Sequence, residues 1–131
     1  MSKLRRSIEI DDFNHGGQPI PAASRVGNLI VSGGIYGLDS TSGTLPDDVG
    51  DQTRLMFLHM GRILEAAGIR YENVARMTFY VKDPAARGHV NMHWETLFPE
   101  QASRPARHTL SYDGLPANML VQCDFIAIAD D

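Results

Sequence analysis

Apolar and polar positions alternate strictly over residues 74–82. Ala75, Met77, Phe79 and Val81 point one way, and Arg76, Thr78, Tyr80 and Lys82 the other. Successive side chains of a strand lie on opposite faces, so this period of two predicts a strand with one apolar and one polar face. Residues 48–67 carry the helical period instead: Met56, Met60, Ile63, Leu64 and Ala67 recur on one face. Asp48 or Asp51 caps this helix with a side-chain oxygen, and Gly68 ends it at the position where a left-handed backbone is needed. A second helix is expected to open at Asp83-Pro84, with aspartate as N-cap and proline in the first helical position. Its buried stripe is Ala86, Val90, Trp94 (or His93) and Leu97, and Pro99 stops it.

Residues 28–35 form a short apolar run next to Gly27 and Gly33-Gly34, which predicts a buried strand. Residues 106–112 and 119–128 read as the last two strands. Residues 13–24 are rich in Gly, Pro and Ala and read as a loop, and residues 38–46 as a turn or hairpin. Strands, helix, strand, helix, strands is the order of an α+β domain, and a helix between strands implies a crossover and a mixed sheet. Two helices cover one face of that sheet. The other face, with Thr78 and Tyr80, needs water or a further partner.

A chain of 131 residues fits a single domain, residues 1–131, and buries a core without staples. Cys123 is the one cysteine, which excludes an internal disulfide and a multi-cysteine zinc site; mid-strand between apolar neighbours, it reads as a small core residue. One thiol and no recognisable signal peptide fit a cytoplasmic location. No apolar run approaches the roughly 20 residues that span a bilayer, so no membrane is expected. A net charge of −4 gives no electrostatic attraction to nucleic acid, and Arg5-Arg6 is too small a cluster to reverse that. His89 and His93 have the i, i+4 spacing of metal ligands, but no glutamate follows His89 and no third ligand is apparent, so no metal site is read here.

The stretch from Arg104 to Tyr112, with Pro105-Ala106-Arg107, followed by Leu115-Pro116 and residues 121–128, resembles the C-terminal signature of the Rid (YjgF) family of imine and enamine deaminases. Gly27-Asn28-Leu29 with Ser32-Gly33 resembles that family's first core strand. Residues 63–68 resemble the end of its first helix, and residues 77–83 the strand that follows. The resemblance implies a chorismate-mutase-like α+β fold, a homotrimer whose sheets line its interior, and active sites in the clefts between subunits.

The resemblance also implies roles. Arg107 grips the substrate carboxylate, which suits a planar fork that donates two parallel hydrogen bonds and stays charged. Backbone at Gly33 and Thr109 contacts the ligand, and Asn91 helps hold the cleft. Strand period puts Arg107, Thr109 and Ser111 on one face, with His108, Leu110 and Tyr112 on the other. Two positions depart from the family pattern. Ile20 stands where the family has a tyrosine, which suggests a more apolar substrate tail. Gln122 stands where the family has a water-activating glutamate; glutamine orients a water but cannot take its proton. Asp124 lies on the same strand face, about 7 Å further along. Either it stands in through a bridging water or it fills the structural role of the pattern's second glutamate.

The reading is therefore a cofactor-free hydrolase of small carboxylate-bearing enamines and imines, of the 2-aminoacrylate or 2-iminobutanoate type. Arg107, Gln122 and Asp124 form the catalytic group. Gly33, Thr109, Asn91 and Ile20 join Arg107 in binding. The alternative is a non-catalytic trimeric binder of small carboxylates. Endoribonuclease activity is disfavoured by the acidic charge.

Overall fold

The computed structural model describes residues 4–130. Seven strands form one sheet: β1 (Arg5–Ile8), β2 (Ala23–Val26), β3 (Leu29–Ser32), β4 (Ile35–Tyr36), β5 (Val74–Val81), β6 (Ala106–Ser111) and β7 (Val121–Ile128). Two helices, α1 (Val49–Ala66) and α2 (Ala86–Leu97), lie between them in sequence. The strand order is β1-β2-β3-β7-β5-β6, with β4 continuing the β3 side of β7. Among the described residues only β5 and β6, joined through α2, run parallel, so the sheet is mixed as the order of elements implies.

The alternation in β5 sorts the two faces. Met77, Phe79 and Val81 are buried under the helices, as are Val121, Cys123, Phe125 and Ala127 of β7. Met56, Met60, Ile63 and Leu64 of α1 and Ala86, Val90 and Trp94 of α2 close over them. The opposite face carries no helix. Cross-strand register places Thr78 beside Asp124, Tyr80 beside Gln122 and Arg76 beside Ile126 there, and Leu29 beside Ile128. Ile128 and Leu29 remain 51% and 42% exposed, so the open face is polar at one end and apolar at the other.

Asp48, not Asp51, is the cap of α1; its carboxylate accepts from the Asp51 amide. Gln52, fully buried in the first turns, clasps three segments. Its Nε2 donates to Pro46 O and Asn118 O, and its Oε1 accepts from Leu120 N. That clasp fixes where β7 begins.

Several boundaries differ from expectation, and the last strand starts at Val121 rather than at residue 119. The run 28–35 is two strands, because Gly33-Gly34 breaks the ladder between β3 and β4. The second helix starts at Ala86 rather than at Pro84, with Ala85 as N-cap: the Asp83 carboxylate accepts from the Ala85 amide and Asp83 O from Ala86 N, which closes a turn ahead of the helix. The loop 13–24 ends early, since Ala23 already pairs in β2. Among the described residues no helix is long and apolar enough to cross a membrane.

Candidate active site

Arg107 lies on β6, the edge strand next to β5. Parallel pairing sets Arg107 beside Met77 and Thr109 beside Phe79, so both side chains are on the helix-covered side of the sheet. The Arg107 guanidinium sits 5.1 Å from the ring centroids of both Phe79 and Trp94. Each ring face attracts the cation and fixes its plane. Its Nε donates to Thr109 Oγ1 at 2.7 Å, which leaves the Nη1/Nη2 end of the fork for a ligand. Burial, and then the charge of Arg87, lower the Arg107 pKa, but a guanidinium stays protonated at any physiological pH.

Arg87, in the first turn of α2, was not singled out from the sequence. Its Nη2 donates to Thr109 O at 3.1 Å. Asn91 is exposed one turn further along the same helix, and i, i+4 spacing sets it on the side of Arg87. The one signal that could have found Arg87 is that spacing.

A second cluster lies on the open face. Gln122 is flanked by Tyr36 on β4 and Tyr80 on β5, and its Nε2 donates to Met119 Sδ at 3.4 Å. A Cβ on Gly34 would stand 2.7 Å from the Gln122 carboxamide, closer than real contacts allow, so glycine there is what lets Gln122 lie flat against β4. Gly33 is less constrained: its nearest neighbours would be the His15 ring at 3.4 Å and Pro21 O at 3.5 Å. Its amide already donates to Ala22 O and is spoken for within the chain. His15 Nε2 bonds Gly34 O at 2.7 Å, which makes Nε2 the protonated nitrogen; Nδ1 is buried without a partner among the described residues. Sequence reading assigned His15 no role.

Asp124 lies beside Thr78 across the β5–β7 ladder. Burial raises its pKa, while polar interaction with Tyr80 and Thr78 and the Arg76 charge oppose the rise. Ile20 is 48% exposed in the loop ahead of β2. His93 is stacked on Phe57 with ring centroids 5.0 Å apart, a packing role.

The structure thus brings Arg107, Thr109, Asn91 and Arg87 to one edge, and Gln122, Gly33, Gly34 and Asp124 to another region. Strand β5 separates β6 from β7, and the two groups lie on opposite faces. One chain does not bring Arg107 to Gln122.

A mixed sheet with two helices on one face and an open second face defines a class of small α+β proteins. The sequence profile of the family described as endoribonuclease L-PSP matches residues 18–129, and the chain belongs to that family, which is the Rid (YjgF) family. A 2-iminobutanoate/2-iminopropanoate deaminase of Mus musculus is 34% identical over 111 residues, 84% of this chain and 81% of that protein. The protein of that name from Escherichia coli strain K12 is 31% identical over 104 residues, 79% of this chain and 81% of its own. The crystal structure of the YjgF gene product of E. coli superposes with a TM-score of 0.83 at 26% identity, covering 95% of this chain and 99% of that one. The fold is the one that family has.

Proposed function

We propose that this protein hydrolyses small carboxylate-bearing imines and their enamine tautomers, of the 2-aminoacrylate and 2-iminobutanoate type, to 2-oxo acids and ammonia. The observation that carries the reading is Arg107: a guanidinium held over two aromatic rings with no carboxylate partner among the described residues. A half-buried cation without a counter-ion is left partly uncompensated, and a substrate carboxylate supplies one. The names of the relatives agree with that chemistry at the level of the family.

The site is assembled between copies of the chain. Arg107 on the helix side of one sheet and Gln122 on the open face of another meet if the open faces turn inward in a homotrimer. The apolar exposure of Leu29, Ile126 and Ile128 favours such burial. Arg107 binds the carboxylate and thereby places the adjacent C=N carbon. A water hydrogen-bonded to Gln122 attacks that carbon; the C=N π electrons move to nitrogen, which takes a proton. The resulting carbinolamine loses ammonia as its hydroxyl proton leaves and the C=O forms. The imine is already electrophilic, so no cofactor enters the scheme, and proton transfer runs through water.

A second reading, a non-catalytic carboxylate binder, is favoured by Gln122 itself. General-base help is worth about 10²–10⁴-fold, and a carboxamide does not give it. Gln122→Glu separates the two. Release of 2-oxo acid from freshly generated 2-aminoacrylate is expected to rise by about 10²-fold in the variant. A parent and a variant that both match the uncatalysed rate, with carboxylates still bound, leave the binder as the function.

A further inference from the structure

Two guanidinium groups converge on Thr109. Arg107 donates to its hydroxyl at 2.7 Å and Arg87 to its carbonyl at 3.1 Å. Arg107 comes from the edge strand and Arg87 from the start of α2, so two separate elements bring positive charge to one point. The ion pairs among the described residues are Arg62–Asp12 and Arg70–Asp130, and neither involves these two arginines. Like charges held together without a counter-ion raise the energy of the empty site, and arginine cannot relieve it by losing its proton.

The electrostatic balance distinguishes ligands. A monoanion on Arg107 neutralises one charge and leaves Arg87 uncompensated. A dianion neutralises both. The two cations also differ in setting: Arg107 is half-buried against Phe79 and Trp94, whereas Arg87 is exposed. The first suits the carboxylate next to the reacting carbon, and the second suits an anionic group at the outer end of the ligand. The exposed Asn91, one turn along α2, adds an amide on that side.

We propose that Arg87 determines specificity at this site, and that the preferred substrate is the imine of an amino dicarboxylic acid, with the carboxylate beside C=N on Arg107 and the distal carboxylate on Arg87. The inference rests on the imine-hydrolase reading above and narrows its substrate class. It favours a charged substrate tail over the apolar one suggested by Ile20, which is 48% exposed in the loop ahead of β2.

The competing role for Arg87 is structural: it satisfies a carbonyl on an edge strand that has no neighbour beyond it. Calorimetric titration of the full-length protein with 2-oxoglutarate and 2-oxopentanoate decides between the two, because these ligands share chain length and differ in the second carboxylate. The parent is expected to bind 2-oxoglutarate about tenfold tighter or more, the ratio falling below about threefold in Arg87→Met and being partly kept in Arg87→Lys, since lysine retains the charge but not the fork. No preference in the parent overturns the proposal. So does an Arg87→Met variant that lowers the thermal midpoint and leaves the ratio unchanged, which is the result for an edge cap. Arg107→Ala identifies which level has failed. If that variant loses 2-oxopentanoate while the parent shows no preference for the dianion, the carboxylate site stands and only the role of Arg87 falls. If the parent binds neither acid and releases no ammonia from imines, the hydrolase reading falls and takes this one with it.

Discussion

At the scale of the residue, the proposed chemistry depends on what each side chain has left to offer. Arg107 gives one N–H to Thr109 and keeps the far end of its fork. Arg107→Ala is expected to weaken binding of 2-oxobutanoate by about 2–5 kcal/mol, the usual cost of removing one partner of a desolvated charge pair. Titration calorimetry reads it, with circular dichroism to show that the fold persists; equal affinity in variant and parent would make Arg107 structural. Lysine there restores only part of the affinity, because a point charge lacks the bidentate geometry. Arg107 was legible in the sequence through the motif around Pro105 and Ala106. Arg87 was not, because its partner is a backbone carbonyl 22 residues away on another element, and backbone acceptors leave no trace in side-chain patterns. The contact of Gln122 with Gly34 was equally hidden, since it follows from the pairing of β4 with β7.

At the scale of the element, α1 carries a titratable group into the core. His59 is 2% exposed, and its Nε2 bonds Leu38 O at 2.6 Å. Its Nδ1 has no partner among the described residues. Burial pushes its pKa down, and the bond to Leu38 opposes that only in part. The native ring therefore binds fewer protons than the unfolded one at mildly acid pH. Its contribution to stability is full above the unfolded pKa of about 6.5 and is lost as pH falls below it. Thermal midpoints between pH 7 and pH 5 are expected to drop in the parent and to drop less in His59→Gln, which keeps a donor for Leu38 and does not titrate. Identical pH profiles would show that His59 pays no charging penalty on acidification. Period alone recovered the bounds of α1 and β5 nearly to the residue, but not every position: a register shift between Val74 and Arg76 buries Val74 and leaves Ala75, expected on the apolar face, exposed. It missed β1, where Arg5, Arg6 and Ser7 are exposed and only Ile8 is buried. An edge strand held by backbone hydrogen bonds to β2 has no pattern to read. The start of α2 was displaced because the turn closed by the Asp83 carboxylate looks, in sequence, like the cap of a helix.

At the scale of the whole molecule, the proposed trimer ties the open face of the sheet to the separation of Arg107 from Gln122. The polar–apolar alternation of β5 implies a face without helices; in the proposed trimer, which residues meet across it depends on a neighbouring chain. In the proposed trimer the solution mass is about three times the 14.5 kDa chain, and light scattering at micromolar concentration checks it. A stable monomer would leave Arg107 and Gln122 apart and the site incomplete. The most direct test mixes two variants, Arg107→Ala and Gln122→Ala, each expected to lose nearly all hydrolysis of freshly generated 2-iminobutanoate when expressed alone. Co-expressed in equal amounts, they assort into mixed trimers in which some clefts draw an intact Arg107 from one chain and an intact Gln122 from its neighbour. Random assortment in a closed ring restores about a quarter of the sites, so about a quarter of the parental rate should return. Mixed trimers that form and show no recovered activity would contradict a site shared between chains.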